Sequence, residues 1–195
     1  MGNREDLLAG AKRCLYEKGY ARTTARDIAA ASGTSLAAIG YHFGSKEALL
    51  NAALVQAVQE WGDELGDALA AEGGAGGSAA ERFESIWTTV VELFARHRQL
   101  WAANFEIFPH LERAPEMRRF FAEAAQLGRQ GLVSLFQNVD MAAVDERTAQ
   151  TLGSFYHALV LGVMAQHLID PERAPSGRDL AEALRIITAN RAPGR

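Results

Sequence analysis

The chain has 195 residues, 48% of them hydrophobic and 23% charged, with a formal net charge of −4; this is the balance of a globular protein and excludes a disordered chain or a disulfide scaffold. Its one cysteine, Cys14, rules out an internal disulfide and a cysteine metal cluster. The longest uninterrupted apolar run, Ala158 to Ala165, is too short to cross a bilayer, and the opening Met1–Asp6 has no signal-like apolar core, so a cytoplasmic location is expected.

Charge is uneven along the chain. Residues 1–46 carry seven Lys or Arg against four Asp or Glu, whereas the remainder carries thirteen basic and twenty acidic side chains. A basic head on an acidic body steers one end toward a polyanion, although ordinary scatter of surface charge gives the same totals.

Apolar residues recur at spacings of three and four nearly throughout, with no alternating strand pattern, which predicts an all-α protein of about nine helices. The first runs from about Arg4 to Lys18 and stops at Gly19, with Cys14 packing on its Leu7–Leu15 face as a small hydrophobe or, alternatively, serving as a redox sensor. Thr24 then caps a second helix, with Asp27 reaching back as in a capping box. Gly33–Thr34 turns into a third helix from about Ser35, and Ser45 caps a fourth that reaches about Ala71, where Glu72–Ser78 is read as a loop. A fifth helix is expected over Ala79–His97, then helices over Leu100–Phe108 and Pro115–Asn138, punctuated by Pro109 and Pro115. The last two are expected over Asp145–Ile169 and Ser176–Arg191.

Two short helices around a glycine turn, within a basic head, form the arrangement in which the second helix enters the DNA major groove. From Gly19–Tyr20 through TTARDIAAASGTSLAAIGYHFGSKEALL, the chain resembles the TetR family of one-component bacterial regulators. The resemblance rests on the glycine–aromatic end of the first helix, the Thr-capped helix with Ile28–Ala29, and a Ser-started helix leading to Tyr41–His42–Phe43 and then Lys46–Leu49. It covers about the first fifty residues. It implies a helix-turn-helix DNA-binding domain over residues 1–50 and a helical effector-binding and dimerisation domain over 51–195. The implied protein is a repressor that binds double-stranded DNA at a near-palindromic operator as a homodimer and is released by a small apolar or amphipathic effector, without a cofactor.

A recognition helix must lie close in the groove, so the small residues around Ala37 suit its outer face while Ile39 and Phe43 anchor it inward. Arg26 has the reach and forked donors to read a guanine edge, and Thr34, Ser35, Leu36 and Ala37 suit base or phosphate contacts. Thr24, Tyr41, His42 and Lys46 are assigned to phosphates, which position the helix. Where the family commonly has a phosphate-contacting tyrosine this chain has Gly40, which either brings backbone near DNA or accommodates packing. That departure keeps open a second reading, a helical ligand- or protein-binding module that has lost sequence-specific DNA recognition.

In the body, Trp101, Asn104, Phe105, Phe108 and Phe121 gather aromatic and polar groups as a small-molecule site does, or simply as core. Ser154, Ala158, Gly162 and Ala165 form a stripe of small residues that, with Leu180, Leu184 and Ile187, makes a dimer surface; the alternative is a central helix of a monomer. Catalysis finds no support. The five histidines have no metal spacing, and there is no H-E-x-x-H, G-x-S-x-G or phosphate-cradling loop.

Overall fold

The computed structural model describes residues 3–71, 78–112 and 114–189. Among these, the secondary structure is helical: α1 (Asn3–Lys18), α2 (Ala25–Ser32), α3 (Leu36–Phe43), α4 (Lys46–Ala71), α5 (Ala79–Arg96), α6 (Arg98–Glu106), α7 (Phe108–Leu111), α8 (Pro115–Gln137), α9 (Glu146–Thr148), α10 (Ser154–Ile169) and α11 (Gly177–Ala189). A π-helical stretch, Ala149–Gly153, joins α9 to α10 without a break, so the helix expected from Asp145 is continuous. Asp145 caps its start, accepting from the Thr148 amide at 2.8 Å. Apart from Ser78, the expected glycine-rich loop lies outside the described residues, as does the end of the last helix beyond Ala189.

One boundary differs. The helix expected over Leu100–Phe108 ends at Glu106, and Pro109 opens the separate turn α7. Proline fits the first turn of a helix because its missing amide donor has no intrahelical partner there.

The helices pack as two units, Met1–Gly62 with His97–Ala125 and Asp63–Arg96 with Gln126–Arg195. In this partition α4 as far as Gly62, and the α6–α7 segment, share a unit with the first three helices.

In the first unit α1 packs against α2, α3 and α6. Its apolar face buries Leu7, Ala11, Cys14 and Leu15, joined by Ile28, Ile39, Leu49, Leu50 and Leu54. Gly10 sets how closely α1 and α2 approach, because a Cβ there would stand 2.8 Å from the Ser32 Cβ. Cys14 is thus a core residue, and burial pushes its thiol above the ordinary value. An inert structural thiol is the expected result.

In the second unit α11 lies along α5, which also touches α10. Phe83, Ile86, Trp87, Val90, Leu93 and Phe94 of α5 are buried, as are Phe136, Tyr156, Val160, Val163 and Met164. Residues Glu146–Ile169 are long and apolar enough, by length and composition, to cross a bilayer. The uninterrupted run understated this, because the apolar residues are spread over the whole helix. Its side chains divide by face: Tyr156, Val160, Val163 and Met164 are buried, while Phe155, Ala158, Gly162 and Ile169 are exposed.

Candidate nucleic-acid interface

The head is shaped by local caps. The Thr24 hydroxyl accepts from the Asp27 amide at 3.2 Å, and Asp27 Oδ2 accepts from the Thr24 amide at 2.9 Å, completing the expected capping box. The other carboxylate oxygen accepts from Lys18 Nζ at 2.6 Å. The Lys18 bond foremost, then those from Thr24, hold the Asp27 carboxyl well below the usual carboxylate range. Thr23, buried, donates its hydroxyl to the Gly19 carbonyl at 2.7 Å.

Gly33, in the left-handed region at φ 66°, ends α2; glycine adopts that conformation without the Cβ penalty. Ser35 caps α3, accepting from the Ala38 amide at 3.3 Å. With both ends of the turn fixed, α3 is held by Ile39, 3% exposed, and by half-buried Phe43, over whose ring the Arg4 guanidinium sits 5.2 Å from the centroid. The opposite face presents Leu36 at 50% exposure, Ala37, Gly40 and Tyr41 at 85%. Nothing lies within 4 Å of a Cβ built on Gly40. The glycine is therefore no accommodation to packing inside this chain.

The remaining candidates divide between reach and structure. Arg26 and Ser35 are exposed; Thr34 is half-buried, its hydroxyl 2.8 Å from that of Ser32. His42, half-buried, meets the Tyr41 ring edge-on with centroids 4.9 Å apart. Lys46 is engaged, its ammonium donating to the Thr23 carbonyl at 3.1 Å and pairing with Glu47 at 3.3 Å. It ties α4 to the start of α2 as well as carrying charge. Arg22, not singled out by the sequence pattern, is exposed, with its Nε donating to the Lys18 carbonyl at 2.8 Å.

Glu106 also has a role that sequence spacing does not show. Its carboxylate accepts from the Ala21 amide at 2.8 Å, 85 positions away, and a Cβ on Gly19 would stand 2.7 Å from Oε1. The last residue of α6 thus fixes the turn between α1 and α2.

Of the expected effector residues, Trp101 is 4% exposed and meets Trp61 edge-on at 4.8 Å, while half-buried Phe105 meets the more exposed Phe108 at 5.7 Å. Asn104 is half-buried on the same helix, and Phe121 on α8 pairs with its neighbour Phe120 at 5.5 Å. Of the expected dimer residues, Ala158, Gly162 and Ile187 are exposed; Ser154, Ala165, Leu180 and Leu184 are half-buried, and Leu184 lines a cavity in the second unit.

Comparison with known proteins agrees with this geometry. A family profile described as "Bacterial regulatory proteins, tetR family" matches residues 7–53, and one described as "Tetracyclin repressor-like, C-terminal domain" matches residues 78–189. The HTH-type transcriptional repressor AcnR of Corynebacterium efficiens is 45% identical over 49 residues, which are 25% of this chain and 26% of that protein. The chain thus spans about a quarter of the length of that relative. The HTH-type transcriptional repressor Rv1474c of Mycobacterium tuberculosis is 29% identical over 185 residues, 92% of this chain and 90% of that protein. The crystal structure of the multidrug binding protein EbrR complexed with imidazole shares the fold, with a TM-score of 0.64 at 23% identity over 100% of this chain and 97% of that one. A capped helix-turn-helix with a small-residue outer face, and profile matches to both head and body, lead to one conclusion: the chain belongs to the TetR family of bacterial transcriptional regulators.

Proposed function

We propose that the protein is a repressor that binds a near-palindromic operator as a homodimer, acts in the cytoplasm where the DNA is, and leaves the operator when a small apolar or amphipathic effector binds the body. The observation that carries the DNA reading is the outer face of α3. Leu36, Ala37 and Gly40 leave it low enough to enter a groove, while Tyr41 stands exposed beside them. Arg26 and Arg22, both exposed, add positive charge to the head. The dimer reading is supported by the exposed apolar groups of α10 and α11, among them Phe155, Ile169, Ile186 and Ile187. The effector reading is supported by EbrR, which binds imidazole on a similar fold, and by Glu106, which ties α6, the helix of Trp101 and Phe105, to the head.

Titration of a duplex under increasing salt tests the first part, with log K falling linearly against log salt at roughly −0.9 per phosphate neutralised. Linkage tests the second. A compound that releases the duplex must bind less tightly, by the same factor, when the duplex is present. Affinity indifferent to salt would oppose the DNA reading, and ligands that bind without moving duplex affinity would oppose the effector reading.

A further inference from the structure

The second unit contains a cavity of about 310 Å³ where the start of α5, the end of α8, α10 and α11 meet. This is the small end of the range in which protein clefts hold small molecules, and it suits a body of one or two rings. Its apolar wall is aromatic and rigid: Phe136 stacks on Tyr156 with centroids 4.3 Å apart and planes at 17°, and Phe83 leans on Phe136 at 5.6 Å. Leu184 closes the side contributed by α11.

The polar groups are cationic or donating. Arg82 lines the cavity, and its positive charge acts on the Tyr156 hydroxyl across it. The Tyr156 hydroxyl accepts from Gln137 Nε2 at 2.7 Å, which orients its oxygen and leaves its own hydrogen to donate. Burial, acting against the Gln137 bond and the Arg82 charge, raises the Tyr156 pKa, so the phenol stays protonated at neutral pH. The described lining holds no carboxylate, and Arg185 adds a second cation to it, paired with Glu182.

From this arrangement we infer that the cavity binds an aromatic or otherwise apolar carboxylate, its ring against Phe83 and Phe136 and its anionic head on Arg82 and the Tyr156 hydroxyl. The inference rests on the proposed effector response but places the ligand within the second unit, whereas Trp101 and Phe105 belong to the first, and gives it a negative charge. A neutral ligand would meet the guanidinium without an opposite charge, and a cationic one would be repelled by it. A guanidinium also meets the planar carboxylate with paired donors.

Isothermal titration of the full chain without DNA, using 2-naphthoate, 2-naphthylmethanol and 2-naphthylmethylammonium, separates ring from charge. The expected order is naphthoate tightest and ammonium weakest. Arg82→Gln should weaken naphthoate roughly tenfold or more, as loss of a charged hydrogen bond does, and leave the alcohol little changed. Leu184→Trp, which fills the cavity from its α11 side, should weaken all binding. Circular dichroism checks the helices of each variant, and Arg82→Lys, which keeps the charge but lacks the paired donors, serves if the glutamine variant fails to fold; it should give an intermediate loss. Equal binding of naphthoate and the alcohol, or naphthoate binding indifferent to Arg82, would overturn the inference. Arg82-dependent binding that leaves duplex affinity unchanged would uphold this site while refuting the effector response.

Discussion

Asp27 and Arg26 are neighbours on the first turn of α2 with opposite uses. Asp27 is bonded to Thr24 and Lys18 and is part of the scaffold, whereas Arg26 is exposed. Arg26→Ala should therefore cost about 1–3 kcal/mol of DNA affinity, concentrated at one base pair of each half-site. Affinities for a set of single-substituted duplexes check this, and a uniform loss would remove Arg26 from base reading. Lys46→Ala should weaken all duplexes alike. It should also lower thermal stability slightly, because the Thr23 carbonyl loses its donor. For Asp27 the sign follows from its lowered pKa: the stabilisation is present above the unfolded carboxylate value, about 4, and is lost as pH falls toward the folded one. Urea midpoints measured from pH 6 down to 3 should fall less steeply in Asp27→Asn than in the parent.

At the scale of the element, α3 carries a glycine in its interior that meets nothing. Gly40→Ala should raise stability by about 0.5–1 kcal/mol, since the helix loses less backbone entropy and no clash is introduced. Thermal unfolding checks the gain, and DNA affinity shows what the glycine is for: a fall despite higher stability would mean that backbone approaches the duplex there. The caps of α2, α3 and α4 were legible in the sequence because each is a contact over three or four positions, as with Thr24 and Asp27, Ser35 and Ala38, or Ser45 and Ala48. The exposed face of α3 was legible for the same reason, since Ile39 fixes which side turns inward. Glu106 was not, because its partner Ala21 is brought to it only by the packing of α6 on α1. Nor was the cavity, whose lining comes from four separate segments of chain. Aromatic spacing pointed to Trp101, which turns out to be packed against Trp61.

Reading a near-palindromic operator takes two copies of the chain. The outer side of α10 joins exposed Phe155, Ala158, Gly162 and Ile169, and α11 adds Ile186 at 54% and Ile187 at 68% exposure. Isolated apolar side chains are ordinary on a surface, but a contiguous set on one helix face marks an interaction site. Gly162 has open space before it, so Gly162→Leu leaves the protomer intact and overpacks a close helix contact twice in a symmetric dimer, at about 1–3 kcal/mol per site. Sedimentation should show monomer with unchanged helical circular dichroism. A tight Gly162→Leu dimer would move the interface off this face.

If this head reads DNA sequence as part of a twofold pair, selection of bound fragments from a pool of randomised duplexes, at modest salt and with the dimer verified, reveals it. Two recognition helices on a symmetric dimer contact half-sites about one DNA turn apart, roughly 34–36 Å. The expected result is enrichment of an inverted repeat with that half-site spacing, lost in Arg26→Ala at the same position in each half. A pool that emerges unenriched, or enriched for a single unrepeated site, would contradict it.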